Sequence, residues 1–249
     1  MGTLSDVVLI TGWDSESKLL KSKNSDLPAG MKKFYQEDFE DLIKKENITL
    51  SNSTIIKEGL ILVKNPFEEK SYLNFDEAEL QIVHSKAQYI SEILQNLGAK
   101  SYTTHSYKTF ESKKERTLNI EASVEADSKS GKGNLKSGRT QYQKDVLDYN
   151  REDSFSGELT KETYAKAMML AEKYGLNNDL DVAGLLKQRN PENSNLITSR
   201  KISIDMTREF NKTRDIVFGL KTSKLDLNAS YTSILESKHH ITFEFDIKF

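Results

Sequence analysis

The sequence predicts an α+β protein, in which an N-terminal mixed strand-and-helix half is followed by an antiparallel sheet with an inserted helical hairpin. The first half combines continuous apolar runs with long helical stripes. The second half alternates apolar and polar residues in several segments, which is typical of strands with one wet face. We place the change at residues 111–112. The halves 1–111 and 112–249 form either two units or one continuous domain.

The first half begins with strand-like and helix-like segments in alternation. Val7–Ile10 and Gly59–Val63 are short apolar runs, as expected of strands that are buried on both faces. Between them, a helix is predicted from about Pro28 to Lys45. Its apolar stripe has helical spacing and consists of Met31, Phe34, Tyr35, Phe39, Leu42 and Ile43.

A longer helix follows the second apolar run. It is predicted to start with Asp76 as its cap and to stop at Gly98. Ser101–Phe110 then reads as a strand. The order strand–helix–strand over residues 59–110 implies a crossover connection and favours a parallel pair of strands.

The second half carries two predicted helices and three predicted strands. The helices run from Thr160 to Gly175 and from Asp179 to Arg189, each with a capping residue at its start. The alternating segments lie at Ile202–Met206, Leu225–Tyr231 and Ile241–Phe249. Strands with one apolar face are typical of an antiparallel sheet that is open to water on one side.

A hairpin is predicted between Thr117 and Tyr142. Its first arm, Thr117–Ala126, alternates strictly, and its return arm is rich in Gly, Ser and Lys. The apolar face is small, so this is the part of the chain that is least committed to a core. We therefore expect it to be a contact surface, formed by Leu118, Ile120, Ala122, Val124, Ala126, Leu135 and Tyr142.

In composition this hairpin resembles the membrane-inserting hairpins of β-pore-forming proteins. Small apolar residues alternate with Ser and Glu, and the return arm carries Gly, Ser and Lys. The resemblance implies that several copies would oligomerise and insert their hairpins to close a barrel. The alternative is an exposed hairpin, or a contact between copies of the chain, with no membrane involved.

Charge and composition argue against several kinds of partner and cofactor. With 36 basic and 38 acidic residues, the net charge of −2 makes nucleic acid an unexpected partner. Cysteine is absent and the four histidines are scattered, so we expect no metal site. Gly133–Thr140 differs from a phosphate-binding loop because Arg139 stands where the lysine belongs, and we expect no nucleotide cofactor.

One set of residues points to an enzyme instead. Asp226, Asp246 and Lys248 resemble the pattern of metal-dependent nucleases, in which two acids hold a hard cation and a lysine steadies the attacking water. The alternative is an ordinary strand with alternating charges on its exposed face.

The sequence therefore leaves three hypotheses for the function. We favour a non-enzymatic binding or self-assembling protein, acting through the hairpin and the edges of its sheet. The alternatives are a pore-forming toxin or defence effector and a metal-dependent nuclease. The apolar run Val7–Ile10 is too short for a signal peptide or a membrane span, so we expect a cytoplasmic protein. The excess of Lys over Arg, together with many Asn, indicates an AT-rich and therefore bacterial genome.

Overall fold

The computed structural model describes residues 5–12, 27–51, 54–110, 151–222 and 239–249. These residues form a five-stranded mixed sheet (sheet A), a four-stranded antiparallel sheet (sheet B) and five α-helices, which confirms the α+β class. The predicted hairpin Thr117–Tyr142 and the predicted strand Leu225–Tyr231 lie outside the described residues.

Sheet A is built from the first 74 residues. Its strands have the order β2-β1-β4-β5-β3, with β1–β2 and β3–β5 parallel and the other neighbours antiparallel. The predicted strands at Val7–Ile10 and Gly59–Val63 are confirmed as β1 and β4. The five strands are β1 (Val7–Thr11), β2 (Met31–Tyr35), β3 (Thr49–Leu50), β4 (Ile61–Lys64) and β5 (Ser71–Asn74).

Strand β1 of sheet A is buried on both faces, which explains its uninterrupted apolar run. Val7 and Leu9 belong to one apolar core, whereas Val8 and Ile10 belong to another. The second core contains Phe39, from helix α1 (Gln36–Glu46), which packs on that side of the sheet. A strand between two apolar layers has no wet face, so its sequence does not alternate.

The helix predicted from Pro28 to Lys45 is wrong in its first part. Met31–Tyr35 forms strand β2, and helix α1 begins only at Gln36. The register pairs Met31 with Val7 and Tyr35 with Thr11 in parallel orientation. Pairing with β1 therefore outweighs the helical spacing of the apolar residues, a tertiary effect that local periodicity does not contain.

Helix α2 (Phe75–Asn96) is confirmed close to its predicted bounds. The cap is Asn74 and not Asp76, because the Asn74 side chain accepts a hydrogen bond of 3.2 Å from the Asp76 amide. The buried face of α2 shares one core with the inner residues of both sheets. This helix thus links the two halves of the protein.

Sheet B has the order β7-β6-β9-β8 and is antiparallel throughout. Its longest contact joins β6 and β9 over ten residue pairs, from Ser101–Lys248 to Phe110–His239. The predicted strands at Ser101, Ile202 and Ile241 are confirmed. The strands are β6 (Ser101–Phe110), β7 (Arg151–Ser154), β8 (Ser199–Asp205) and β9 (His239–Lys248).

The parallel pair expected within residues 59–110 is wrong. The strand before helix α2 belongs to sheet A, whereas β6, the strand after it, lies in sheet B. The crossover therefore connects two sheets instead of two neighbours in one. A chain pattern of strand, helix and strand sets the order of elements but not which sheet each strand joins.

Three more helices belong to the second half. Helix α3 (Lys161–Lys173) and helix α4 (Leu180–Gln188) confirm the predicted pair, with Thr160 and Asp179 as their capping residues. Thr160 also forms a reciprocal capping box with Thr163. Helix α5 (Arg208–Thr222) follows β8 and was not expected from the sequence.

Two glycines at helix ends provide a matched test of this architecture. Gly98 and Gly175 have φ of +76° and +66°. A Cβ on Gly98 would lie 2.8 Å from Leu159 Cβ, whereas a Cβ on Gly175 would meet nothing within 4 Å. We expect Gly175→Ala to cost about 1 kcal/mol through its backbone conformation alone. Gly98→Ala should cost at least about 1 kcal/mol more because of the collision.

Urea unfolding of both variants measures this difference. Equal losses for the two alanine variants would contradict the close approach of residues 158–159 to Gly98.

Candidate interaction surface of sheet B

Sheet B has one apolar face and one polar face, set by the alternation in its strands. Phe243, Phe245 and Ile247 of β9 are buried in the core. The residues between them point to the opposite side, which we call the outer face. It is formed by Thr103, His105 and Tyr107 of β6, His240, Thr242, Glu244, Asp246 and Lys248 of β9, and Lys201, Ser203 and Asp205 of β8.

The outer face carries contacts between neighbouring strands. Lys201 Nζ lies 3.2 Å from Asp246 Oδ2, and the two residues are direct cross-strand partners. The Tyr107 hydroxyl donates to Glu244 Oε2 at 3.3 Å, although Tyr107 remains 49% exposed. Exposed pairs of this kind contribute little to stability. In this face they hold positive and negative side chains in fixed positions around the exposed ring of Tyr107.

An aspartate–histidine pair closes one end of this face. His240 Nδ1 and Asp205 Oδ2 are 2.6 Å apart. The other oxygen of Asp205 accepts from the Thr207 amide at 2.9 Å and from its hydroxyl at 3.1 Å. Thr207 Oγ1 in turn accepts from the Ile241 amide at 3.1 Å. These bonds join the end of β8, the start of α5 and the start of β9.

The sequence did not predict this pair, because its four histidines are scattered along the chain. The only available signal was that His240 and Asp205 lie at the ends of two alternating segments. A carboxylate that holds an imidazole can orient it for chemistry, but such chemistry also needs a reacting partner within hydrogen-bond reach. The contacts described here join structural elements, and we assign the pair a structural role.

Two backbone groups at the β8 edge of sheet B have side-chain partners. The Ser203 amide donates to Asp181 Oδ2 of helix α4 at 3.4 Å. The Asp205 carbonyl accepts from Lys86 Nζ of helix α2 at 2.7 Å, and Lys86 also pairs with Glu209 at 2.9 Å. These contacts occupy part of the edge and make it a poorer template for another strand.

At the opposite edge of the sheet, the described part of strand β7 pairs with Ser101–Thr104 of β6. This pairing is reinforced by a hydrogen bond from the Tyr102 hydroxyl to the Asp153 carboxylate. Burial, together with this bond, raises the pKa of Tyr102.

The predicted contact residues of the hairpin, from Leu118 to Tyr142, lie outside the described residues. The segment that contains them, 111–150, connects β6 to β7, which are antiparallel neighbours. The hairpin therefore stays a prediction for the connection between these two strands.

The nuclease residues are described only in part. Asp226 lies outside the described residues, whereas Asp246 and Lys248 share the outer face of β9. Asp246 is engaged by Lys201 at 3.2 Å. Within the ranges that the structure describes, no group of three or more His, Asp or Glu side chains could hold a metal ion. The nuclease hypothesis stays a prediction from sequence.

Comparisons with protein-family models, curated proteins and solved structures gave no significant match to this chain. Among the helices in the described ranges, none is both long enough and apolar enough to cross a membrane.

Proposed function

We propose that the protein is a non-enzymatic binding or self-assembling protein of bacterial origin, whose contact surface is the outer face of sheet B and the β6–β7 edge. The observation that carries this proposal is the outer face itself, where the exposed ring of Tyr107 lies among side chains of both charges. At the β8 edge, Asp181 and Lys86 already bind two backbone groups.

The physical basis is that the edge of a sheet is a template for another strand. In general, the outward amides and carbonyls of an edge strand can bind an extended segment of a partner or of a second copy, and the side chains beside them select it. Tyr107 supplies an exposed aromatic ring next to this edge. In the proposal, the Thr117–Tyr142 hairpin extends the same surface. The absence of cysteine from the sequence supports a reducing compartment, and we propose the cytoplasm.

The proposal is tested by light scattering over a range of concentrations, with cross-linking to capture a partner protein. We expect self-association or a captured partner, weakened at least tenfold by Tyr107→Glu, which places a second negative charge beside Glu244. Met169→Glu is the matched control, because Met169 is an exposed apolar residue on helix α3, away from sheet B.

A protein that is monomeric at every concentration and captures no partner would contradict the proposal. An equal effect of Met169→Glu and Tyr107→Glu would place the contact elsewhere.

A second candidate is a membrane-acting effector. One observation favours it: Phe110 and His239 are cross-strand partners, so the connections 111–150 and 223–238 join sheet B at the same end. Because both connections meet the sheet at this end, we propose that both contact the same bilayer. Lipid-facing strands need neighbours that close a barrel, so this function requires oligomerisation.

Leakage of a dye from liposomes tests this candidate. We expect purified protein to release the dye and to form an oligomer only with lipid. Deletion of residues 127–138 should abolish release, while Met169→Glu should leave it intact. Absence of release, or release undiminished by the deletion, would reject the role of the hairpin in membranes.

A further inference from the structure

A cleft of about 370 Å3 lies away from the outer face, between sheet A and helix α5. One wall is the turn that follows β4, at residues 64–69, and the other is a single face of α5. The helix contributes Glu209, Lys212, Thr213 and Ile216, whose spacing of three and four residues places them in one row. Phe210, on another face, packs into the core.

The turn that forms the first wall is held by an aromatic stack. Phe67 packs edge-on against Tyr89, with ring centroids 5.4 Å apart. Tyr89 stacks on Tyr174, and burial raises its pKa to about 12. Phe67, Pro66 and Ile216 give the cleft an apolar part. A cleft with walls fixed by packing is organised before a ligand arrives.

The charges in the cleft come from separate elements and do not neutralise one another. Among the described residues, none of its three lysines forms an ion pair within 4 Å with any of three carboxylates in the same lining. The lysines are Lys64, Lys173 and Lys212, and the carboxylates are those of Asp6, Glu68 and Glu69. A fourth carboxylate, Glu209, is already paired with Lys86.

The presence of both lysines and carboxylates in the lining determines which class of ligand fits the cleft. A ligand with one charge would be attracted by one set of groups and repelled by the other. A ligand with an ammonium and a carboxylate complements both sets. The volume lies at the lower end of the range for small-molecule sites, which limits the ligand to a small metabolite.

We propose that this cleft binds a small zwitterion of amino-acid size. The carboxylate of the ligand lies against Lys64 and Lys212, its ammonium lies against Glu68, and its apolar part contacts Phe67 and Ile216. This site is independent of the contact surface on sheet B, so either proposal stands if the other fails.

Calorimetric titration with L-leucine, L-methionine and L-glutamine tests the site. We expect saturable binding of at least one of them. For that amino acid, the N-acetyl derivative, which lacks the ammonium, and the amino alcohol, which lacks the carboxylate, should each bind at least tenfold more weakly. No saturable binding of any of the three, or equal binding of the derivatives, would overturn the proposal.

Substitutions of residues that line the cleft test whether the amino acid binds there. Lys212→Ala and Glu68→Ala should each weaken the best amino acid at least tenfold, with unchanged thermal unfolding as the check on folding. Lys45→Ala is the control, because Lys45 is an exposed lysine at the end of helix α1 and lies outside the cleft lining. An equal loss of affinity in Lys45→Ala would also overturn the assignment.

Discussion

Replacement of Glu209 by glutamine is expected to lower the free energy of unfolding by about 3 kcal/mol. Lys86 is 1% exposed, and its ammonium donates to both carboxylate oxygens of Glu209, at 2.9 and 3.1 Å. The variant leaves a buried positive charge without its counter-charge, with only neutral acceptors beside it: the Asp205 carbonyl and the side-chain oxygen of the introduced glutamine. The Glu209 side chain keeps 23% exposure, which places the expected loss at the low end for buried pairs.

Urea unfolding of the single and double variants separates the charge from the packing. Lys86→Met combined with Glu209→Gln should recover a large part of the loss, because no buried charge is then left unpaired. Glu162→Gln, on the exposed side of helix α3, should change stability by less than about 0.5 kcal/mol. A loss below about 1 kcal/mol for Glu209→Gln would mean that the ion pair does not hold helix α5 to the core.

Replacement of Phe245 by alanine is expected to cost about 4 kcal/mol. Phe245 is 1% exposed and lies in β9, one of the two inner strands of sheet B. Its ring lies 5.8 Å from that of Tyr102 and 6.3 Å from that of Phe243, measured between centroids. Removing the ring leaves a cavity between residues from two neighbouring strands, which the rigid sheet can fill only in part.

The control for this cavity lies on the same strand. Lys248 is exposed, and Lys248→Ala should change the free energy of unfolding by less than about 0.5 kcal/mol. Comparable losses for Phe245→Ala and Lys248→Ala in urea would contradict the assignment of the buried and outer faces of β9.

The parts of the fold that the sequence predicted are those that depend on near neighbours in the chain. The alternation of Ile241–Phe249 is enough to define β9 and both of its faces. Thr160 and Asp179 mark two helix starts through hydrogen bonds within a few residues. Such signals are complete within one turn of helix or one strand, so a single sequence contains them.

Helix α5 was missed for a physical reason. Its buried face includes Arg214 and Asn211, which are 2% and 5% exposed, beside Phe210 and Val217. Polar side chains on a buried face remove the apolar stripe on which prediction of a helix depends. Their burial is tolerated because they have partners elsewhere in the fold, such as Thr207, which accepts from the Asn211 amide group at 3.4 Å.

The contacts between charged residues could not be predicted from the sequence, for a different reason. Lys86 and Glu209 meet although 123 positions separate them, and Asp205 and His240 meet across 35. The first contact depends on how helices α2 and α5 pack, and the second depends on which strands are neighbours. Periodicity contains neither kind of information. The cleft has the same origin, because its two walls come from residues 64–69 and from helix α5.

The order of strands in sheet B also constrains how the protein folds. Strand β9, one of its two inner strands, is the last of the described strands along the chain, and it pairs with both β6 and β8. During synthesis, β6, β7 and β8 therefore leave the ribosome before the strand that joins them exists. Sheet A, by contrast, needs only the first 74 residues. We expect sheet A to form early and sheet B to form in a late, slow step that closes a loop of more than a hundred residues, from β6 to β9.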